Sequence, residues 1–257
     1  MSRPNPALTV AALALAVNGL AVSGLVLSGP AGAAARFAVT APPLGAPGFG
    51  AGEVQYRIDL AYRSYHGDGT DLAGPSLAVQ RRQALSDRFA WSVGGVADYR
   101  SGSAEVIGAN DDVRLWQTTF HVIGEVQQRL APNWRAILFA GPKLGVGGYT
   151  IEQQEPPAER RDADTQLSGY VLGAQAPFGL DTVRLTPFAA YEKLGARHRI
   201  DSSATGSYTA NRTYEVVQYG AELGFPGTGL TLSAMVQRLT AGSVSERYVI
   251  YQAGYRF

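Results

Sequence analysis

Residues 54–65 read VQYRIDLAYRSY, and the alternation of their side chains decides the fold class. Every second residue from Val54 to Tyr62 is apolar, and the positions between them include the charged Arg57, Asp59 and Arg63. Successive side chains of a β-strand point to opposite faces, so this segment predicts a strand with one apolar and one ionic face.

The same division of faces recurs along the chain and predicts an all-β protein. Clear segments lie at 89–100, 116–128, 216–225 and 230–236, and weaker ones at 76–85, 134–150, 166–177 and 184–194. Arg81, Arg82 and Pro142 interrupt the weaker segments, so their faces stay open. A last strand at 248–257 brings the count to ten, and eight or twelve strands remain possible.

The position of the aromatic residues indicates which face is turned outward. A soluble barrel encloses its apolar face, whereas a membrane barrel turns that face to lipid and places aromatic girdles at both interfaces. The aromatic residues lie near strand ends, as girdles require. One girdle is predicted from Phe89, Trp91, Trp134, Phe225, Tyr255 and Phe257, and the other from Tyr62, Tyr99, Trp116 and Tyr149.

The lengths of the connections alternate and predict a transmembrane, antiparallel, up-and-down β-barrel. Short turns are expected at 85–88, 130–133, 179–182 and 226–229, and longer polar loops at 66–75, 101–113, 151–165, 195–213 and 241–246. In bacterial barrels the short turns are periplasmic, so both termini are expected in the periplasm and the long loops outside.

The N-terminal segment predicts export. Arg3 precedes an apolar run at about 10–27, and Ala33 and Ala35 then fit the small-x-small cleavage pattern of a secretory signal peptide. An uncleaved membrane anchor is the alternative, although Asn18 and two glycines make the run a poor helix. We therefore predict a signal peptide at 1–35, a flexible Pro/Gly-rich lead-in at 36–53 and a single barrel domain at 54–257.

Composition excludes several functions. The net charge of +1 gives no basic surface for nucleic acid. With 0 cysteines, the chain has no disulfide framework, thiolate metal site or cysteine nucleophile. The single turn at 66–71 and the isolated His121 are no basis for a metal site, so we expect neither metal nor cofactor.

The C-terminal strand, YVIYQAGYRF at 248–257, resembles the β-signal of Gram-negative outer-membrane β-barrel proteins. That signal ends in phenylalanine, with an aromatic residue two positions earlier and a glycine nearby, which matches Phe257, Tyr255 and Gly254. The resemblance covers 54–257 and implies recognition by the barrel-assembly machinery. It also implies residence in the outer membrane, in contact with its lipids and lipopolysaccharide.

Charged residues on the polar faces predict an ionic lumen. Burying unpaired charge is costly, so these side chains are expected to pair with one another and plug the barrel. A conducting pore is the alternative, although ten strands enclose a narrow interior. The predicted network contains Arg57, Asp59, Arg63, Asp98, Arg100, Glu125, Glu192, Glu222 and Arg256.

One hydrolytic hypothesis arises from the strand count. Omptin surface proteases are also ten-stranded and carry aspartates and an Asp-His pair on outer loops, and this chain offers Asp111, Asp112, His198 and Asp201 in predicted loops. The aspartates are adjacent and the Asp-His order is reversed here, so solvated loop charges are favoured over an active site. The sequence therefore predicts a structural or surface-interaction barrel, with a small channel and an omptin-like hydrolase as alternatives.

Overall fold

The computed structural model describes residues 52, 54–67, 70–106, 111–153, 159–179, 182–242 and 244–256. The predicted signal peptide, the lead-in apart from Gly52, and Phe257 lie outside these residues. Within the described ranges, no helix has the length and apolar character needed to cross a membrane.

The described chain is built from antiparallel β-strands. The strands, β1 to β11 in chain order, are Val54–Gly67, Thr70–Ala84, Phe89–Val106, Asp111–Ala131, Trp134–Gln153, Glu159–Gln175, Phe178–Gly179, Arg184–Ser202, Gly206–Phe225, Leu230–Ala241 and Val244–Arg256. Consecutive strands pair with each other except for β6 and β7, and β1 pairs with β11 to close the ring. The predicted antiparallel up-and-down barrel is thereby confirmed.

The two-residue strand β7 continues β6, so the barrel has ten full strands. Both segments pair with β5 and β8 in one unbroken register. The interruption falls at Ala176 and Pro177, because proline has no N–H for the ladder. The carbonyl of Pro177 still accepts a hydrogen bond of 3.1 Å from the Arg135 N–H.

A second proline marks a local gap between β4 and β5. The ladder between these strands breaks opposite Val122 and Ile123, where Gly141 and Pro142 lie on β5. A Cβ at Gly141 would collide with the Val122 carbonyl, so the strands can approach this closely only with glycine there. On its other side, Pro142 pairs normally with Tyr170 of β6.

Apolar side chains form a belt around the outside of the barrel. Ile58, Leu138 and Val217 are among its exposed members. We call the end that holds Val54 and Arg256 the terminal end, and the opposite end the hairpin end. Exposed aromatic side chains border the belt at Phe89, Trp134, Phe178 and Tyr255 near the terminal end, and at Tyr62, Tyr99 and Trp116 nearer the hairpin end.

Tyr149 departs from the predicted girdle. Its side chain is 6% exposed and faces the lumen, in a cluster with Leu115 and Ile151. The inward positions of β5 are odd-numbered and include the apolar Ile137 and Phe139, so this strand lacks the clean polar inner face on which the assignment depended.

The strands extend far beyond the belt at the hairpin end, which corrects the predicted long loops. Strands β4, β5, β8 and β9 have 21, 20, 19 and 20 residues, about twice the length needed to cross a membrane. Most of 66–75, 101–113, 151–165 and 195–213 continues the ladders. Beyond the belt the outward residues are polar, so alternation fades there although the backbone pairing persists.

Candidate functional site

The lumen contains a buried ionic cluster centred on Asp98 of β3. Arg63 of β1 lies 2.9 Å from its carboxylate, His121 of β4 lies 3.5 Å away, and Arg100 lies 3.9 Å away. All four side chains are nearly inaccessible to solvent. Arg63 also donates a hydrogen bond of 2.7 Å to Gln252 of β11, so the cluster joins opposite ends of the sequence across the closing seam.

A second buried pair lies beside this cluster, because Lys143 is the cross-strand partner of His121. Lys143 of β5 donates a 2.9 Å hydrogen bond to Glu192 of β8, and Gln218 of β9 donates one of 3.0 Å to the other carboxylate oxygen. Both charged side chains are at most 1% exposed. Two charges removed from water need this compensation, because an isolated one would be costly.

A third group lies nearer the terminal end. Arg57 contacts Asp59 at 3.1 Å, and Arg256 of β11 contacts the same carboxylate at 3.5 Å. Arg256 also binds Glu222 of β9 at 2.9 Å. This chain of charges links β1, β11 and β9, the strands on either side of the closing seam.

Glu125 is held mainly by neutral donors. Gln80, Ser92 and Gln127 donate hydrogen bonds of 2.7, 2.6 and 3.1 Å to one of its carboxylate oxygens.

All nine residues of the predicted lumen network therefore point inward, in these groups. Gln127 and Gln218 lie on faces that the sequence already assigned as polar, whereas the lumenal partners Lys143 and Gln80 were missed. The sequence left open which residues of 76–85 and 134–150 face inward. Within one strand the inward residues are all even-numbered or all odd-numbered, and this rule would have identified Gln80 and Lys143.

An apolar layer covers the ionic clusters on the side of the hairpin end. Arg100 lies 4.1 Å from the centre of the Tyr65 ring, so a cation–π contact connects the two layers. The layer consists of inward side chains from eight strands, including Tyr65, Leu72, Val113, Leu115, Tyr149, Ile151 and Ile200. Side chains of the wall itself thus fill the interior at this level.

All four candidate hydrolytic residues lie in strands. Asp111 and Asp112 begin strand β4 and are paired with β3 and β5, so they are not loop residues as predicted. His198 and Asp201 both belong to β8, where His198 is buried and Asp201 is exposed on the opposite face. The predicted fourth loop was wrong because β8 runs on to Ser202.

His198 has a structural environment. Its Nδ1 lies 2.8 Å from the Thr165 hydroxyl and its Nε2 lies 3.2 Å from the Tyr214 hydroxyl. Asp201 instead accepts a hydrogen bond from Ser207 on the outer face. Both imidazole nitrogens are therefore engaged by neighbouring strands, away from the aspartate that the hydrolytic hypothesis paired with it.

The structure also places two residues of the predicted assembly signal, and it shows how the potential metal ligands are distributed. Gly254 faces inward opposite Ala61, and Tyr255 points outward next to Leu60 in the closing pair of strands. Among the residues that the structure describes, no three histidine, aspartate or glutamate side chains are grouped to hold a metal ion. His66 and Asp71 form an exposed pair at 2.8 Å.

A closed antiparallel barrel with an apolar outer belt, two aromatic borders and an ionic lumen has the architecture of transmembrane β-barrels. No family model matches the sequence, and no curated protein is significantly similar to it.

Three solved structures show which barrels this chain is similar to. The outer membrane protease OmpT from Escherichia coli has a TM-score of 0.49 at 10% identity, over 79% of this chain and 96% of that chain. The translocator domain of autotransporter NalP from Neisseria meningitidis has 0.44 at 14%, over 79% and 88%. A major outer membrane protein from Thermus thermophilus has 0.44 at 11%, over 79% and 100%. At these values the likeness transfers no activity.

Proposed function

We propose that this chain is a closed outer-membrane barrel with a structural or surface-interaction role, which carries its hairpin end on the outside of the cell. The observation that carries the proposal is the lumen, where the Asp98 cluster and the Lys143–Glu192 pair lie beneath a packed apolar layer. Such an interior leaves the extended hairpins, and not a channel, as the part available to partners.

The proposed orientation has the termini in the periplasm. Tight turns connect the strands at the terminal end, as between Leu85 and Phe89 and between Phe225 and Gly229. The long strand extensions lie at the other end, which in bacterial barrels is the extracellular one.

Conductance measurements in planar bilayers test the closed lumen against the alternative of a small channel. We expect the purified protein to insert without producing stable unitary currents, because the paired charges and the apolar layer leave no wide aqueous path. An open porin in the same bilayers is the positive control. Regular ohmic steps from the chain would reject the closed barrel in favour of the channel.

The proposed contact with outer-leaflet lipid is supported by charge at the edge of the belt. Arg238 and Arg247 are direct cross-strand partners on β10 and β11, and both are exposed. Like charges in such a position repel unless an anion lies near both. Phosphate groups of lipopolysaccharide would supply that anion, and Val236 and Val249 lie beside the arginines to meet the acyl chains.

Export is proposed to remove the first 35 residues. We expect protein isolated from outer membranes to have the intact mass of a chain beginning at Arg36, because the Ala33-x-Ala35 pattern follows an apolar run. Mass spectrometry of the intact protein measures this directly. A species that retains Met1 would contradict the secretory interpretation.

Assembly is proposed to depend on the C-terminal phenylalanine. Deleting Phe257 is expected to leave unfolded protein in the periplasm and to abolish the heat-dependent gel shift of closed barrels. The reason is that β11 must close on β1, and the segment resembles the signal read by the assembly machinery. Replacing the exposed Asp71 by asparagine is the control, and unchanged surface display of the deletion variant would refute the prediction.

A further inference from the structure

Strand β9 extends beyond its neighbour β10 at the hairpin end. The pairing of β9 with β10 ends at Glu215 and Thr240, and the β10–β11 hairpin turns back at Gly242. On its other side β9 continues to pair with β8 up to Gly206. Within the described residues, 206–214 therefore have a ladder partner on one side only and form an open sheet edge.

The hydrogen-bond pattern shows which backbone groups face this open edge. The Ser203 N–H donates to the Arg160 carbonyl, so odd-numbered residues at this end of β8 bond to β6 and even-numbered ones bond to β9. Even-numbered residues of β9 consequently bond to β8. The N–H and C=O groups of Ser207, Thr209, Asn211 and Thr213 point away from β8, toward the open side.

The edge has few of the features that prevent strand addition. Residues 207–213 read SYTANRT, with no proline and no lysine, no bulge interrupts their pairing with β8, and the one charged side chain is Arg212 on the inner face. A groove of about 480 Å³ runs along the edge, lined by 208–213 together with Ala241 and Gly242. Tyr208 and Ala210 form its inner side, where they pack against the apolar layer.

Charge indicates the chemistry of the occupant. Arg197 and Arg199 lie on β8 directly opposite Asn211 and Thr209, and both are exposed on the outer face. Asp164 is the cross-strand partner of Arg199 on β6, whereas the partner of Arg197 there is the neutral Gln166. The outer face beside the edge is therefore cationic at Arg197, and it favours carboxylates on an added strand.

A second copy of the chain does not fit this edge. Two barrels in one membrane share an orientation, so their edges would be related by an axis along the membrane normal. With strands tilted by about 35–45°, the two edges would then cross at roughly 70–90° and could not form a ladder. A polypeptide segment that is free to choose its direction has no such restriction.

We propose that the open edge of β9, residues 207–213, binds an extended acidic peptide segment as an added β-strand. Main-chain hydrogen bonds to the odd-numbered residues provide the contact, and apolar side chains of the segment lie beside Tyr208 and Ala210. Its carboxylates lie on the outer face, separated from Arg197 by the width of β9. The inference rests on the proposed function in one respect, namely that the hairpin end is the surface open to partners.

A seven-residue peptide that alternates valine and glutamate, labelled with fluorescein, tests the proposal by anisotropy with the full-length protein in detergent micelles. We expect saturable binding to the unaltered protein. Asn211→Pro should weaken binding roughly tenfold or more, because it removes a donor from the open edge without removing one from the β8 ladder. Asn211→Ala is the matched control and should bind like the unaltered protein, since it keeps the N–H.

Two further comparisons keep the test decisive. A twin peptide with N-methyl groups on alternate residues should lose binding, which gives the same information if Asn211→Pro fails to fold. Arg197→Gln should weaken the glutamate peptide but not a glutamine version. Equal binding of the twin, or no binding at all, would overturn the edge site. The absence of unitary currents would still support the closed barrel in that case, so the two failures are distinguishable.

Discussion

Replacing Ile58 by arginine is expected to lower the free energy of unfolding by about 2–4 kcal/mol in lipid. Ile58 lies in the middle of the outward face of β1 and is 45% exposed to the surroundings of the barrel. An arginine there would place a charge against hydrocarbon, with no acidic neighbour on the outer face of β1. Reversible denaturant unfolding of protein in lipid vesicles measures the change.

Two control variants separate the lipid effect from a general effect of substitution. His66→Arg places the same side chain on the same face of β1, beyond the aromatic border at Tyr62, and should change stability little. Ala61→Ser lies on the inner face and should be nearly silent. If Ile58→Arg unfolds at the same denaturant concentration as these controls, the apolar belt does not lie in lipid.

The second large effect is expected at Asp98. Asp98→Asn should cost about 3–5 kcal/mol, because it removes the carboxylate that lies between Arg63 and Arg100. Both guanidinium groups are at most 3% exposed, so water cannot replace the lost charge. The same unfolding measurement in vesicles is suitable, provided that the slope of the transition stays constant.

Asp71→Asn is the control for Asp98→Asn. Asp71 also pairs with a basic side chain, His66, but its side chain is 81% exposed, and such pairs contribute little. We expect no measurable change for this variant. Equal stability of the two variants would show that the lumen is well hydrated, which would favour the channel over the closed barrel.

Alternation in the sequence was sufficient to predict the fold and the inner face of the best strands. In 54–65 the ionic residues Arg57, Asp59 and Arg63 had to share one face, and the structure places all three in the lumen. Short turns and the even number of strands then followed from the connections. These features depend on residues close together in the chain, so they can be predicted from the order of residues in a single sequence.

The pairing of side chains between strands, and the extension of the strands beyond the apolar belt, could not be predicted in the same way. The Lys143–Glu192 pair joins residues 49 positions apart on β5 and β8, and only the pairing of both strands with β6 brings the two side chains together. The hairpin end escaped prediction because the strands leave the apolar belt there. His198 consequently looked like a loop residue, although it is buried between Thr165 and Tyr214.

The central claim is that the apolar face lies in lipid while the strands continue beyond it. Because the chain has 0 cysteines, single cysteines at Val217, Tyr219 and Leu223, and at Asn211 and Thr213, can carry a nitroxide label without background. In lipid vesicles, we predict high access of oxygen and low access of a water-soluble nickel complex at the first three sites, and the reverse at the other two. Free access of the nickel complex to the label at Val217 and Tyr219 would contradict the account.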